Sequence, residues 1–269
     1  MGKGIIHLFY CKIMTKHKII NILYFAGLVY LIYLDQSMGL NIWAYVFFFL
    51  SYILILFFGV VFTQLNFFVE HELGGDARFN EIAISFDDGP NAEFTEKVLD
   101  KLGHYHVKAT FFLIGENIEK NPELLQRIHQ EGHLIGNHSF HHRKNFEIQK
   151  TSLMNDEINR SNQLIEEIIH LKPRFFRPPF GLTNPRVAQA IKQTNMLPIA
   201  WSLRTYDTKN SVKSVIKKLR KSLNGGDLIL LHDNHDGILE ILDFLIPFAQ
   251  ESGFKIVNVD ELIKQKAYV

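Results

Sequence analysis

The chain has 269 residues, a formal net charge of +1 at pH 7, 47% hydrophobic residues and a single cysteine, Cys11. A chain this hydrophobic is not intrinsically disordered, and its near-neutral charge argues against a nucleic-acid partner. One cysteine can form neither an intrachain disulfide nor a cysteine-rich zinc site, so any metal must bind histidines and carboxylates.

Residues 1–69 are predicted to form a membrane segment with spans at about 19–34 and 42–62. The run Ile42–Phe62 has 21 residues, almost all apolar, which is the length that a spanning helix requires. The run Ile19–Leu34 has only 16 residues. It either spans a thin bilayer as the first half of a hairpin, or forms an interfacial or signal-type segment.

The orientation of this segment follows from its basic residues, because cytoplasmic flanks of spanning helices are enriched in lysine and arginine. The basic residues of this part are Lys3, Lys12, Lys16 and Lys18. They predict a cytoplasmic amino terminus. If both runs span, the protein is a two-pass membrane protein and residues 70–269 also face the cytoplasm; if only the second spans, they face outward.

Residues 70–80 are interpreted as a linker, and residues 81–269 as one folded domain of alternating strands and helices. The predicted strands are Glu81–Phe86, Ala109–Leu113, His133–Asn137, Pro198–Ser202, Asp227–Leu231 and Phe254–Val257, with a further piece near Arg174–Phe176. Helical patterns start after Asn91, Asn121, Thr151 and Asn184. This alternation predicts a parallel sheet, either open and doubly wound or closed as a (β/α) barrel.

Polar residues follow two of these strands. Asp87 and Asp88 end the first strand, and His138 and His142 follow the third. If residues 138–142 were helical, one turn would place both imidazoles on one face, where they could share a cation. With an aspartate they form a set of two histidines and one carboxylate, which leaves a position open for water, as catalytic zinc requires.

Two further residues stand at strand ends. Arg177 precedes the turn PPFG and can hold a carboxylate with two hydrogen bonds. His232 ends a buried strand and can exchange a proton near neutral pH. Either residue alone also suits an ordinary loop or cap, but active sites of parallel β/α folds gather at this edge of the sheet.

The runs SFDDGP, HSFHH, RPPFG and LILLHD follow one another within about residues 81–262. In this order they resemble the successive motifs of the polysaccharide deacetylase family, also called the NodB homology domain or carbohydrate esterase family 4. The resemblance implies a distorted (β/α) barrel of about seven parallel strands. It also implies metal-dependent removal of N-acetyl or related acyl groups from amino sugars.

By resemblance, Asp87 is the general base and Arg177 orients it. His232 is the general acid and Asp207 pairs with it. A backbone N–H near Phe180 is expected to bind the oxyanion.

The resemblance also implies a divalent metal, with Zn²⁺ expected, bound by Asp88, His138 and His142. No organic cofactor is expected. The match is partial after Trp201, because Arg204 stands where many family members have aspartate, and Thr208 where many have an aromatic residue. These two replacements leave the substrate open.

The expected substrate is an acylated amino sugar of a glycan, such as peptidoglycan or a chitin-like oligosaccharide. The alternative is an amino sugar on a lipid carrier, which a membrane hairpin suits better. The family more often acts on cell-surface glycans, which favours the outer face, whereas the charge rule favours the cytoplasm. A pure sugar-binding module would not need Asp87 and His232 as a base and an acid, and a membrane scaffold would not need a metal set.

Overall fold

The structure is a computed structural model that describes residues 14–269. Lys3, Cys11 and Lys12, which the sequence arguments use, lie outside the described residues. The two apolar runs form helices α1 (Lys16–Met38) and α2 (Ile42–Val61). Both helices are long and apolar enough to cross a membrane, judged by length and composition. Helix α1 therefore extends beyond the predicted 19–34 span at both ends.

Helices α1 and α2 form an antiparallel hairpin. The Tyr52 hydroxyl donates to Oδ1 of Asn21 at 2.8 Å, and the Tyr45 hydroxyl donates to Oδ2 of Asp35 at 3.0 Å. Residues early in α1 thus contact residues late in α2. At the base of the hairpin, Lys16 Nζ donates to the Leu65 carbonyl at 2.7 Å. The start of α1 and the end of α2 therefore lie on the same side.

The remaining chain builds one parallel sheet flanked by helices. The strands are β1 (Glu81–Asp87), β2 (Thr110–Leu113), β3 (Leu134–Asn137), β4 (Phe175–Phe176), β5 (Leu197–Pro198), β6 (Leu203–Arg204), β7 (Leu228–His232) and β8 (Lys255–Val257). The helices are α3 (Thr95–His104), α4 (Gly115–Lys120), α5 (Pro122–Gln130), α6 (Thr151–Ile169), α7 (Pro185–Gln193), α8 (Val212–Ser222), α9 (Ile238–Glu251) and α10 (Val259–Ile263). Short 3₁₀ turns cover Thr63–Leu65, Phe146–Ile148 and Pro179–Gly181.

Seven strands follow the order β5-β4-β3-β2-β1-β7-β6, and β8 pairs with the start of β1. A flat sheet of seven strands would be about 29 Å wide, because neighbouring strands lie roughly 4.8 Å apart. The edge strands β5 and β6 are joined by residues 199–202 alone, which reach at most about 18 Å when fully extended. The sheet must therefore curl, which confirms the predicted barrel of parallel strands.

The predicted strand Pro198–Ser202 is wrong in its bounds. Only Pro198 belongs to an edge strand, β5, and residues 199–202 cross the gap between β5 and β6. The amide of Ile199 donates to Phe176 at 2.9 Å, that of Ala200 to Glu72 at 2.9 Å, and that of Ser202 to Leu228 at 3.1 Å. Each amide thus has a partner on a different segment, and no continuous ladder forms.

The base of the hairpin is packed against the barrel domain. Phe67, Phe68 and Val69 are buried in a cluster with residues of α6 and α7, and the side chains of Ile55, Leu56 and Val60 on α2 pack against it. A Cβ added at Gly59 would overlap the Phe67 ring. Close contact between α2 and the buried phenylalanines therefore depends on a glycine at position 59.

We expect Gly59→Ala to weaken the packing of the hairpin on the barrel domain by roughly 1–3 kcal/mol, the usual cost of an added group in a packed contact. In detergent micelles, Glu-C protease should cleave faster at the exposed Glu70. Gly103→Ala is the matched control, because a Cβ there meets no atom within 4 Å. Equal cleavage rates in the two variants would show that the contact between α2 and Phe67 does not hold the hairpin.

Candidate active site

The predicted site residues converge at the carboxyl ends of the strands, where β/α barrels place their active sites. Six of the eight line one cavity of about 220 Å³: Asp87, Asp88, His138, His142, Phe180 and His232. Arg177 and Asp207 lie behind this cavity, each bonded to one of its lining residues. Asp87 and His232 are register partners on β1 and β7, which fixes them side by side.

Three side chains of the cavity can bind one metal ion. Nε2 of His138 and Nε2 of His142 each lie 3.5 Å from Oδ1 of Asp88. One potential ligand atom from each residue lies within 4.8 Å of the other two. The donor set of two imidazoles and one carboxylate is the one that catalytic zinc uses with an open fourth position.

A hydrogen bond fixes the tautomer of His138. Its Nδ1 lies 2.7 Å from the Arg177 carbonyl oxygen, and since a carbonyl oxygen only accepts, Nδ1 must carry the proton. Nε2 is the nitrogen that is left for a metal ion, and it faces the Asp88 carboxylate at 3.5 Å. A backbone carbonyl behind a histidine is a common second partner of metal ligands, because it orients the ring.

The helical reasoning for His138 and His142 is wrong, although the two rings do meet. Residues 138–142 form an irregular loop, in which Ser139 and His142 have left-handed backbone angles, φ +66° and +49°. The buried carboxylate of Glu157 on α6 holds this loop by accepting from the amides of Phe140 and His141 at 3.2 and 2.8 Å. The sequence gives no local sign of this support, because Glu157 lies on a separate helix.

A buried ion pair supports the carboxylate of Asp87. Nη1 of Arg177 lies 2.6 Å from Oδ1 of Asp87, and the Arg177 side chain is fully buried. Nη1 also donates to the Ser85 hydroxyl at 3.0 Å, while Nη2 and Nε donate to the carbonyls of Ala200 and Ile199, at 2.7 and 3.3 Å. Phe112 stacks beneath it, with its ring centroid 3.9 Å from the guanidinium carbon. The guanidinium is thereby fixed in one orientation, and so is the carboxylate.

Asp207 binds His232 by two hydrogen bonds. Oδ1 of Asp207 accepts from Nδ1 of His232 at 3.0 Å, and Oδ2 accepts from the His232 amide at 2.7 Å. A third contact joins Nε2 of His235 to Oδ2 of Asp207 at 3.1 Å. With its Nδ1 proton held by the carboxylate, His232 can exchange a proton only through Nε2.

The pKa values in the cavity suit a metal site beside a proton donor. Burial raises the pKa of Asp88, but interaction with His138 outweighs it and lowers the pKa to about 2. Burial lowers the pKa of His142 to about 4. Asp88 is thus ionised and His142 neutral at pH 7, as metal binding requires. Burial also lowers the pKa of His232, but the hydrogen bond and charge of Asp207 outweigh it and raise the pKa above its usual value.

Phe180 stands at the mouth of the cavity on a strained turn. Its backbone is left-handed, φ +58°, its side chain is 43% exposed, and its ring centroid lies 4.6 Å from that of His142. The neighbouring Gly181 carbonyl accepts a hydrogen bond from the Thr63 hydroxyl, just beyond the end of α2. The hairpin therefore contacts the loop that carries Phe180.

Arg204 and Thr208, the two departures from the family pattern, also line the cavity, together with Trp201, Tyr206 and Lys209. The resemblance assigned no role to these last three residues. Trp201 is buried, whereas Tyr206 and Lys209 are exposed. Segment 201–209 therefore forms one wall of the cavity. This wall contains both residues, Arg204 and Thr208, that differ from those common in the polysaccharide deacetylase family.

Comparison with known proteins agrees with the motifs. The profile of the polysaccharide deacetylase family matches residues 74–199. The peptidoglycan-N-acetylglucosamine deacetylase of Bacillus cereus is 34% identical over 189 residues, which cover 68% of this chain and 68% of that protein.

Solved structures of such proteins share the fold. A crystal structure of a peptidoglycan N-acetylglucosamine deacetylase bound to a naphthyl N-hydroxybenzamide matches with a TM-score of 0.68 and 33% identity, over 72% of this chain and 93% of that one. A pseudoenzyme of carbohydrate esterase family 4 from Bacillus anthracis matches with a TM-score of 0.67 and 25% identity, over 72% and 68% of the two chains. From its motifs, its barrel and these relatives, this chain belongs to the polysaccharide deacetylase family, carbohydrate esterase family 4.

Proposed function

We propose that the protein is a metal-dependent hydrolase that removes N-acetyl groups from amino sugars of a glycan such as peptidoglycan. The observation that carries this proposal is the presence in one cavity of a metal-ligand set, a carboxylate fixed by Arg177 and a histidine fixed by Asp207. The Bacillus cereus relative, a peptidoglycan-N-acetylglucosamine deacetylase, supports the choice of sugar.

Asp88, His138 and His142 would hold the metal, since their ligand atoms converge and, at pH 7, Asp88 is ionised and His142 is neutral. A divalent ion bound there supplies a Lewis acid that polarises the acyl oxygen and acidifies water. Zn²⁺ fits this donor set best, because it favours imidazole nitrogen and carboxylate oxygen in a four-coordinate site.

Asp87 acts as the general base. Its Oδ1 is held by Arg177, which leaves Oδ2 to accept a proton from the water that attacks the acyl carbon. Oδ2 also lies 3.8 Å from Nε2 of His138, so the base stands directly beside the metal ligands.

His232 acts as the general acid on the opposite side of the reaction. Its Nε2 donates a proton to the departing amide nitrogen, because without that proton the nitrogen would have to leave as an amide anion, a very poor leaving group. Asp207 keeps the imidazole cationic and correctly turned. The backbone N–H of Phe180 is proposed to bind the oxyanion, where a fixed donor in a site screened from water stabilises the transition state. The products are acetate and a free amino sugar.

A second substrate is favoured by one observation: the hairpin is bonded to the active-site loop. The Thr63 hydroxyl and the Gly181 carbonyl join the end of α2 to the turn that carries Phe180. If α2 spans the bilayer, the cavity lies close to the lipid headgroups. A cavity near the headgroups could bind an acylated amino sugar on a lipid carrier at least as well as a glycan polymer that extends away from the membrane.

Both helices are proposed to span the membrane, so that the catalytic domain lies on the same side as Lys16 and Lys18. The antiparallel hairpin supports this arrangement, because the base near Leu65 is next to the lysines at the start of α1. By the positive-inside rule that side is the cytoplasm.

Metal binding and turnover should separate in two variants. The double variant His138→Ala, His142→Ala should lose bound zinc, because two of three protein ligands are gone. Asp87→Asn should keep the zinc and lower acetate release from an N-acetylglucosamine tetramer by about two to four orders of magnitude, the range for a positioned general base. Elemental analysis and an acetate assay measure the two effects.

The control for these variants is Asp243→Asn, an aspartate that bonds Lys101 on the outside of the barrel and should change neither quantity. Undiminished zinc in the double variant would contradict the ligand assignment. Acetate release near the parent rate in Asp87→Asn would contradict the mechanism.

The pH dependence of turnover tests the acid. His232 must be protonated to act, so the rate falls as the pH rises through its pKa. Asp207→Asn removes the negative charge that raises this pKa, and an opposite charge at such distances shifts a pKa by about 1 to 3 units. We therefore expect the alkaline limb of the rate profile to move to lower pH. Asp236→Asn, an exposed neighbour, is the control. An alkaline limb that stays in place in Asp207→Asn excludes His232 as the acid.

Reporter proteins fused after Val269 can show on which side of the membrane the catalytic domain lies. We expect green fluorescent protein, which folds in the cytoplasm, to be fluorescent, and alkaline phosphatase, which is active outside, to be inactive. The physical reason is the pair of lysines, Lys16 and Lys18, at the base of a two-pass hairpin. An active phosphatase fusion would overturn the inward orientation and favour a surface glycan as the substrate.

A further inference from the structure

One wall of the cavity carries positive charge that the proposed mechanism does not use. Arg204 and Lys209, here called the cationic wall, line the same cavity as Asp88, His138 and His142. Arg204 ends β6, and Lys209 lies in the loop between β6 and α8. This part of the chain departs from the family pattern at Arg204 and Thr208. The cationic wall is therefore within reach of a sugar whose acyl group lies at the metal ligands.

Aromatic rings hold the Arg204 side chain in place. Its guanidinium carbon lies 5.2 Å from the ring centroid of Trp201 and 4.8 Å from that of Tyr206. Lys218 Nζ lies 4.7 Å from the Tyr206 ring centroid, which adds a third cation to this region. A guanidinium that contacts two rings loses little further freedom when it binds a ligand.

The cationic wall has no carboxylate partner in the part of the chain that the structure describes. Within residues 14–269, Arg204, Lys209 and Lys218 form no ion pair with a carboxylate within 4.0 Å. Asp207 is the acidic residue nearest to Arg204 and Lys209 in sequence, and its two oxygens bond to His232 and His235 instead. The guanidinium of Arg204 accordingly has no side-chain acceptor among the described residues.

Tyr206 is kept in place at a conformational cost. Its backbone is left-handed, φ +60°, although it is not glycine, and its side chain is 42% exposed. Such backbone strain in a non-glycine residue is concentrated at ligand-binding sites, where surrounding structure maintains it. Here the ring centroid lies 4.8 Å from the guanidinium carbon of Arg204 and 4.7 Å from Nζ of Lys218.

We propose that Arg204, aided by Lys209, binds an anionic group, a phosphate or a carboxylate, on the acylated amino sugar. The inference rests on the proposed function for the sugar itself. A planar guanidinium binds both kinds of anion with two parallel hydrogen bonds, whereas a neutral hydroxyl group would leave its charge unpaired. A phosphate is the group that would link a sugar to a lipid carrier, and a carboxylate would mark an acidic amino sugar such as N-acetylmuramic acid.

The test is sugar binding to the full-length, zinc-loaded protein in detergent micelles, with Asp87→Asn present to prevent turnover. The probes are N-acetylglucosamine 1-phosphate, N-acetylmuramic acid and neutral N-acetylglucosamine, compared by calorimetry. We expect at least one anionic sugar to bind about tenfold or more tightly than the neutral sugar, as suits a charged hydrogen-bonded pair. Preference for the phosphate points to a lipid-linked substrate, and preference for the carboxylate points to an acidic glycan.

Arg204→Gln should reduce the ratio of the dissociation constant of the neutral sugar to that of the anionic sugar to near one. Arg204→Lys, which keeps the positive charge, should retain part of the preference for the anionic sugar. Arg220→Gln is the matched control, because Arg220 also stacks on a ring, that of Phe244 at 5.2 Å, but does not line the cavity. Thermal melting of each variant checks that it is folded.

Two results would overturn the inference. The first is that neither anionic sugar binds more tightly than neutral N-acetylglucosamine, or that neither binds at all. The second is that Arg204→Gln leaves the ratio of the dissociation constants unchanged. Acetate release with Asp87 restored separates this inference from the proposed function. Selective binding without acetate release would refute the deacetylase while keeping the anion site. Acetate release without selective binding would refute the anion site alone.

Discussion

The ion pair between Arg177 and Asp87 connects parts of the barrel that are distant in sequence. The guanidinium is fully buried between the end of β1 and the carbonyls of Ile199 and Ala200, which cross the gap between β5 and β6. Removing one partner of such a pair leaves an uncompensated buried charge and costs about 3–5 kcal/mol. The same contact that closes the barrel therefore also fixes the orientation of the proposed base.

The carbonyl of Arg177 extends this arrangement to the metal ligands, because it orients His138 through Nδ1. One residue thus sets the direction of both a carboxylate and an imidazole. Around it, Asp88, Ser139 and Phe180 have left-handed backbones, with φ +74°, +66° and +58°. Strain of this kind costs on the order of 1–3 kcal/mol per residue and persists only where the surrounding fold maintains it. The buried pair and the barrel core supply that support.

The sequence predicts the chemistry of the site better than its geometry. Asp87, Asp88 and His232 could be identified because they end apolar strands, and strand ends of a parallel barrel share one edge. The helical spacing assigned to His138 and His142 is wrong because Glu157, on a separate helix, holds that loop in a shape that no local pattern encodes.

Contacts between distant parts of the chain could not be predicted either. The bond from Thr63 to Gly181 joins residues 118 positions apart, and no periodicity or motif in the two segments signals it. The contact of Arg204 with the rings of Trp201 and Tyr206 depends on the left-handed backbone of Tyr206. Sequence comparison could flag Arg204 as unusual, but only the fold places it beside the metal ligands.

The contact between the hairpin and the Phe180 turn, and the cationic wall, each restrict the class of substrate that the cavity can bind. Thr63 fixes the Phe180 turn to the end of a helix that is proposed to lie in the bilayer, so a sugar in the cavity would be held near the membrane surface. Arg204, which pairs with no carboxylate among residues 14–269, adds a cation to the same cavity, where an anionic group would lower the free energy of binding. A sugar attached through a phosphate to a membrane lipid satisfies both constraints. A neutral polymer satisfies neither, because it needs no membrane contact and offers no partner for Arg204.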